Sequence, residues 1–251
     1  MSIEYAAAGA VARITLNRPE KRNAITSEMM SALRDALQRA SHNTTIRLLL
    51  IRGAGKDFCA GLDLSEVLKS AENEGASLAS ARRLGELYVA MRRHPQPIIA
   101  AVHGRALGGG AGIATAADLI VATESAQFGY PEVKLGFIPA IVATMLRRAV
   151  NERQAMELAL TGEPLSASRA LAIGLINRVY PDTEFDVSVE RYVAALAEQP
   201  ATAMSMSKSL LYQTDGMSFE ASIEAGVQAN VQARMTGDFK RGVESFLKKT
   251  R

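Results

Sequence analysis

Three short segments carry residues that could act on a substrate. The first is Phe58-Cys59-Ala60-Gly61-Leu62-Asp63-Leu64, just after an apolar run that reads as a strand. Its glycine permits a sharp turn that leaves an amide N–H without a partner. The second is Gly104-Arg105-Ala106-Leu107-Gly108-Gly109-Gly110-Ala111-Gly112. Three consecutive glycines at the start of a small-residue helix bare its N-terminal amides, and such amides bind an oxyanion, a phosphate or a carboxylate. The segment is neither a GxGxxG fingerprint nor a nucleotide-binding loop ending in Gly-Lys-Ser/Thr. The third is Gly129-Tyr130-Pro131-Glu132-Val133-Lys134-Leu135-Gly136-Phe137-Ile138-Pro139, which sets one carboxylate among turn residues in a mostly apolar stretch. Partial burial would raise the Glu132 pKa towards a useful general-base value. Each segment also has a plainer reading: an ordinary strand-to-helix turn, close helix packing, and a solvated Glu132 paired with Lys134.

Other chemistries find little support. There is no Gly-x-Ser-x-Gly elbow to make a nucleophile for His103 and Asp118. The one cysteine, Cys59, excludes an internal disulfide and a multi-cysteine metal site, and reads better as a buried structural residue than as a thiol partner of His103. His42, His94 and His103 share no metal-ligand spacing, so no metal site is expected. Lys+Arg 29 against Asp+Glu 26 gives a net charge of +3 over 251 residues. That is too weak and too dispersed for nucleic acid as the main ligand, although an anionic small molecule is compatible with it. No apolar run approaches the length of a membrane span, and Met1-Ser2-Ile3-Glu4 does not open a signal peptide. A reducing, cytoplasmic setting is expected.

These segments must be positioned by a mixed framework. Val11–Leu16 alternates as a strand; Thr26 or Ser27 caps a helix carrying Met29, Met30, Leu33, Leu37 and Ala40; Ile46–Ile51 reads as a buried strand. Residues 64–80 are polar and small, a mobile stretch or a short helix, and 81–93 read as a helix stopped by Pro95 and Pro97. Pro97–His103 and Asp118–Ala122 are further strands around a helix from Ala111 to Ala117. Helices follow over 139–149 and 152–161, Ser166 caps a short one, and Leu175–Tyr180 is a short strand. Helices over 184–199, 201–214, 218–235 and 238–249 then follow one another without strands. The alternation predicts an α/β core with parallel pairing over 1–195 and a helical region over 196–251.

In this order and spacing, six segments resemble the crotonase (enoyl-CoA hydratase/isomerase) family: LNRPEKRNAI (16–25), GAGKDFCAGLDL (53–64), PIIAAVHGRALGGGAG (97–112), FGYPEVKLGFIPA (128–140), ALTGEPLSASRALAIGLINRV (159–179) and TGDFKRGVESFLKK (236–249). The resemblance implies an α/β spiral of ββα turns with a C-terminal helical trimerisation region, giving a homotrimer or a hexamer, and an acyl-CoA thioester as substrate. It implies an oxyanion hole at the backbone N–H groups of Ala60 and Gly109, and Glu132 as acid/base. Arg22, Ala24, Gly61, Asp63, Leu64 and Gly108 are expected along the substrate, and Phe246 and Lys249 of a neighbouring subunit at its nucleotide end. No metal or redox cofactor is implied; coenzyme A is part of the substrate.

One position departs from the pattern. The second glutamate of the two-glutamate hydratases falls two residues after the glycine run, where this chain has Gly112. Syn-hydration in those enzymes uses both carboxylates, whereas a Δ3–Δ2 isomerase needs one base. Glu66, Glu72 and Glu74 are the candidates to hold water in place of the missing group. The expected function is an enoyl-CoA hydratase working with a single Glu. The alternatives are a Δ3–Δ2 enoyl-CoA isomerase using the same Glu and a catalytically weak acyl-CoA-binding protein.

Overall fold

The apolar runs become strands because both of their faces find cover. In a computed structural model that describes residues 1–248 and the backbone of Lys249, the chain opens with a hairpin of β1 (Ile3–Ala8) and β2 (Val11–Leu16). Helix α1 (Ser27–His42) follows, its first turn capped by Thr26, whose hydroxyl accepts from the Met29 N–H at 3.2 Å. Then come β3 (Leu48–Gly53), α2 (Leu64–Ser70), α3 (Glu74–Arg92), β4 (Ile98–Val102), β5 (Arg105–Leu107), α4 (Gly109–Ala116), β6 (Leu119–Thr123) and β7 (Gln127–Gly129). A 3₁₀ turn over Pro131–Leu135 leads into α5 (Ala140–Ala149), α6 (Glu152–Thr161), β8 (Leu165–Ser166), α7 (Ala167–Ala172) and β9 (Arg178–Tyr180). The chain closes with α8 (Phe185–Ala197), α9 (Ala201–Gln213), α10 (Phe219–Arg234) and α11 (Gly237–Lys249).

The large sheet has the order β1-β2-β3-β4-β6-β9 and is parallel except for the β1–β2 hairpin. A second sheet, β5-β7-β8, pairs β5 with β7 in parallel, and a single bridge from Cys59 to Ala106 extends it. One unit therefore recurs: a strand of the large sheet, a short strand or bridge in the small one, then a helix. It appears as β3–Cys59–α2, β4–β5–α4 and β6–β7 followed by the 3₁₀ turn and α5. This is the spiral of ββα turns that the sequence motifs imply.

Burial on both faces explains the continuous apolar strands. In β3, Leu49 and Ile51 point into the main core, while Leu48 and Leu50 face Phe185, Val189 and Val193 of α8. In β4, Ile98, Ala100 and Val102 join the main core and Ile99 and Ala101 the α8 side. The helix α3 begins at Glu74 rather than near 81, because Asn73 caps it by accepting from the Ala76 N–H. Strands β1, β5 and β7 have no apolar run to announce them; the latter two are three residues long and form on the stacked turns.

Helix α9 is tied to this core by a buried cation. Lys208 Nζ lies 2.7 Å from Asp118 Oδ2 and donates to the carbonyls of Met91 (3.1 Å) and Gln96 (3.2 Å), and Tyr212 donates to Asp118 Oδ1 at 2.7 Å. Among the described residues no helix is long and apolar enough to cross a membrane, and no cluster of three His, Cys, Asp or Glu could hold a metal.

Candidate active site

The spiral brings three points of the chain together. Leu62 follows the Cys59 bridge by three residues, Gly109 follows β5 by two, and Glu132 follows β7 by three. They hold equivalent places on successive turns, and all three line one cavity of about 410 Å³. Its other walls come from Val67, Ser70 and Ala71 at the end of α2, from Ser77 to Tyr88 along α3, and from Phe137 to Val142 leading into α5. Mostly apolar walls with few polar groups suit an acyl chain with one reacting end.

The Cys59–Leu62 turn is fixed from both sides. Asp57 accepts from the Arg105 N–H (3.0 Å), Nε (2.8 Å) and Nη2 (3.0 Å), and these bonds hold its carboxyl below the usual range. Asn23, fully buried in the left-handed region with φ +56°, donates through Nδ2 to the carbonyls of Ala54 and Asp57, both at 2.8 Å. Cys59 Sγ donates to the Asn23 carbonyl at 3.0 Å, and full burial pushes its pKa up to about 12. It is a structural thiol, as expected from its type and setting. Gly61 sits at φ +105°, which only glycine adopts without strain, and a Cβ there would meet the Leu107 carbonyl at 3.0 Å.

One expected donor is overturned here. The Ala60 N–H already donates to the Arg22 carbonyl at 2.9 Å, so it cannot also face a ligand. The Asp63 N–H is spent on the Ile25 carbonyl (2.9 Å), and the Ile25 N–H on the Gly61 carbonyl (2.8 Å). Between them, Leu62 turns its N–H to the opposite side, where no described residue accepts it. The unpaired amide of this turn is therefore that of Leu62, two residues beyond the position expected.

Gly109 has the bare amide that the glycine run leads one to expect. It opens α4, and Gly108 before it has φ +51° and ψ −123° with no side-chain cap. The first turn of α4 thus keeps its amides bare at the positive end of the helix dipole. A Cβ on Gly61 would stand 3.7 Å from the Gly109 N, and one on Gly109 would stand 3.2 Å from Leu62 Cγ, so the two turns are in contact.

Glu132 hangs over the same place. Its Oε1 lies 3.1 Å from where a Gly108 Cβ would be, and its Oε2 is buried without a hydrogen-bond partner among the described residues. Burial raises its pKa above the ordinary glutamate value. Lys134 is not its partner; that ammonium bonds Glu163 Oε1 at 2.7 Å. Nor does Asp118 serve His103, whose Nε2 lies against the Gly55 carbonyl at 2.9 Å.

The carboxylates suggested as replacements for the one missing at Gly112 do not reach the cavity. Glu66 accepts from the Ser27 N–H (2.8 Å) and hydroxyl (3.0 Å), and Glu72 and Glu74 are exposed at the start of α3. What fills the space at Gly112 is Tyr88, whose hydroxyl lies 2.1 Å from the position of a Cβ there. Asp63 caps α2, accepting from the Ser65 N–H and hydroxyl, and pairs with Arg18 at 3.4 Å. Arg22 stands exposed with φ +51° beside Ala24, whose carbonyl accepts from Arg18 Nη1 at 2.6 Å. Leu64 is exposed on α2. Phe246 is exposed on α11, outside the cavity lining, and the Lys249 side chain lies outside the described residues. Sequence reasoning missed Tyr88 as a site residue: within the helix expected over 81–93, it carried no signal that marks it for the site.

Comparison with known proteins now fixes the class. The family model "Enoyl-CoA hydratase/isomerase" matches residues 6–251. A Thermus thermophilus protein named provisionally as an enoyl-CoA hydratase is 38% identical over 246 residues, covering 96% of each chain. The 1,2-epoxyphenylacetyl-CoA isomerase of Escherichia coli is 33% identical over 242 residues, 95% of this chain and 92% of that one. The crystal structure of an enoyl-CoA hydratase from Mycobacterium smegmatis superposes with a TM-score of 0.95 at 30% identity, over 99% of this chain and 97% of that one. The chain is an enzyme of the enoyl-CoA hydratase/isomerase family, with the fold of crotonases.

Proposed function

We propose that the protein hydrates 2-enoyl-CoA thioesters, with Glu132 as the only carboxylate doing acid/base work. The observation that carries this reading is the convergence of one unpaired, pKa-raised carboxyl oxygen with two unpaired backbone amides in a single apolar cavity. The Leu62 and Gly109 N–H groups hold the thioester oxygen, where negative charge grows as the enolate forms. Removing one such donor costs about 2.7–4 kcal/mol of transition-state stabilisation. Glu132 takes a proton from water as its oxygen bonds to C3. The C2–C3 π pair moves onto the thioester as an enolate, and Glu132 then delivers the proton to C2. Backbone amides supply the electrostatics, so the reading needs no metal or redox cofactor. Gly61 and Gly108 serve by letting the two amide-bearing turns close on one another, and the CoA portion runs along Arg22 and Ala24.

A Δ3–Δ2 isomerisation by the same residues is the second reading. It is favoured by the absence, among the described residues, of a second carboxylate from the cavity lining, and by the isomerase name of one relative. The homo-oligomer implied by the motifs has a surface to form it: α10 exposes Phe219, Ile223, Val227 and Val231 at every fourth residue, a continuous apolar stripe. We assign the trimer, or a hexamer built from it, to the α9–α11 layer.

The test is Glu132→Gln assayed on crotonyl-CoA. Turnover should fall by about 10²–10⁴-fold, the range for a lost general acid/base, with CoA-thioester binding nearly unchanged. Turnover close to wild type would remove Glu132 from the chemistry.

A further inference from the structure

The reaction needs a second group to hold water, and among the described residues no second carboxylate lines the cavity. We infer that the hydroxyl of Tyr88 is that group: with Glu132 Oε2 it seats the attacking water above the N-terminal turn of α4. This rests on the hydratase reading above and names the residue that makes it workable without a second glutamate.

Three observations place the two oxygens around one site. Tyr88 and Glu132 both line the cavity beside Gly109. Glu132 Oε1 sits 3.1 Å from a Cβ built on Gly108, and the Tyr88 hydroxyl 2.1 Å from one built on Gly112. Gly108 and Gly112 are one helical turn apart, joined by the Gly112 N–H to Gly108 carbonyl bond at 2.9 Å. The Tyr88 hydroxyl also feels the charge of Glu132, so the two groups are near neighbours. A single water donating to two oxygens bridges about 4.5 Å at ordinary hydrogen-bond lengths.

The hydrogen bonds also have the right sense. Tyr88 spends its only hydrogen on the Gly109 carbonyl at 2.8 Å. Towards the cavity it therefore offers only a lone pair. Glu132 Oε2, buried and unpartnered, offers another. A water between them donates one hydrogen to each and keeps its own lone pairs free for C3. As its O–C3 bond forms, the hydrogen facing Glu132 passes to the carboxylate and on to C2. The hydrogen facing Tyr88 stays on the product hydroxyl, and Tyr88 neither gains nor loses a proton. Gly112 is then required by Tyr88: any side chain there would take the space of the hydroxyl.

The experiment compares Tyr88→Phe with wild type in three measurements. These are hydration of crotonyl-CoA, deuterium exchange at C2 of butyryl-CoA in heavy water, and butyryl-CoA binding. Exchange and binding use Glu132 and the two amides but no attacking water. A lost water contact should lower hydration kcat by about tenfold or more, the worth of one hydrogen bond. Exchange and binding should stay within about threefold, less than one such bond. Gly112→Ala, which pushes the hydroxyl off its place, should lower hydration in the same way. Unchanged hydration in Tyr88→Phe, or equal loss in all three measurements, would overturn the assignment and leave Tyr88 as a prop of the Gly109 peptide. Should wild type exchange C2 hydrogens without hydrating crotonyl-CoA, the hydratase reading falls and Tyr88's role with it, while Glu132 stands. Should Glu132→Gln retain hydration, the fault lies in the reading of Glu132.

Discussion

Glu132 stores an electrostatic cost for the sake of chemistry. Burial raises its pKa on folding, so the folded state binds this proton more tightly than the unfolded chain does. Its contribution to stability is therefore fully present below the unfolded value, near 4.5, and is lost as pH rises through the raised folded value. Glu132→Gln should accordingly raise the melting temperature at pH 7 and leave it unchanged below about pH 4. Thermal scans of both proteins across pH check this, and a variant less stable at neutral pH would contradict it. The activity of the wild type should show an acid limb above the ordinary glutamate range, because the base must be ionised to accept a proton. Cys59 makes the opposite case at this scale. With its thiol pushed up to about 12 and buried, it should resist alkylation in the native protein and react only on unfolding. Much of this was legible in residue types: one carboxylate among turn residues, one cysteine in an apolar segment. Tyr88 was not, because its place beside the site depends on the missing side chain at Gly112, a residue twenty-four positions away that only packing brings near.

The elements work as brackets for backbone amides, and here sequence and structure part by two residues. The motif FCAGLDL announces a turn with a free N–H, yet spacing cannot say which amide is free. That is decided by the neighbouring strand-like segment, which pairs with Ala60, Gly61 and Asp63 and leaves Leu62 out. Replacing single amides by esters separates the two donors. An ester at Leu62 should lower kcat by about 10²–10³-fold, as for a lost oxyanion donor. An ester at Ala60 should cost about 1 kcal/mol of stability, one backbone hydrogen bond, and little activity. The reverse pattern would restore Ala60 to the site. The short strands β5 and β7 were illegible for a related reason: three residues carry no period, and these form only because successive spiral turns stack. The long strands were legible because apolar runs such as Leu48–Ile51 are buried on both faces.

At the scale of the whole molecule, the core and the helical layer meet at one buried ion pair. Removing Lys208 would take from the half-buried Asp118 the ammonium it pairs with, leaving the Ile98 N–H and the Tyr212 hydroxyl as its donors. Lys208→Ala should destabilise the fold by about 3–5 kcal/mol, seen in denaturant titration. A cost under about 1 kcal/mol would show the pair to be a surface contact. The outer face of this layer has its own expectation. Ile223→Glu or Val231→Glu, each charging the apolar stripe of α10, should turn a trimer or hexamer into smaller species by light scattering. The change from strands to helices after Tyr180 was plain in the sequence, but what the helices cover was not. Apolar positions at every fourth residue of α10 could equally have faced the core, and the structure turns them outward.

The central claim is that a single carboxylate, Glu132, does the acid/base work of adding water to an enoyl thioester held by two backbone amides. It is tested most directly by incubating the purified protein with crotonyl-CoA and 3-hexenoyl-CoA in ¹⁸O-water and weighing the products. The account predicts a 3-hydroxyacyl-CoA carrying one ¹⁸O. Unlabelled 2-hexenoyl-CoA as the only product, with crotonyl-CoA returned unchanged, would contradict it and make the protein a one-base isomerase.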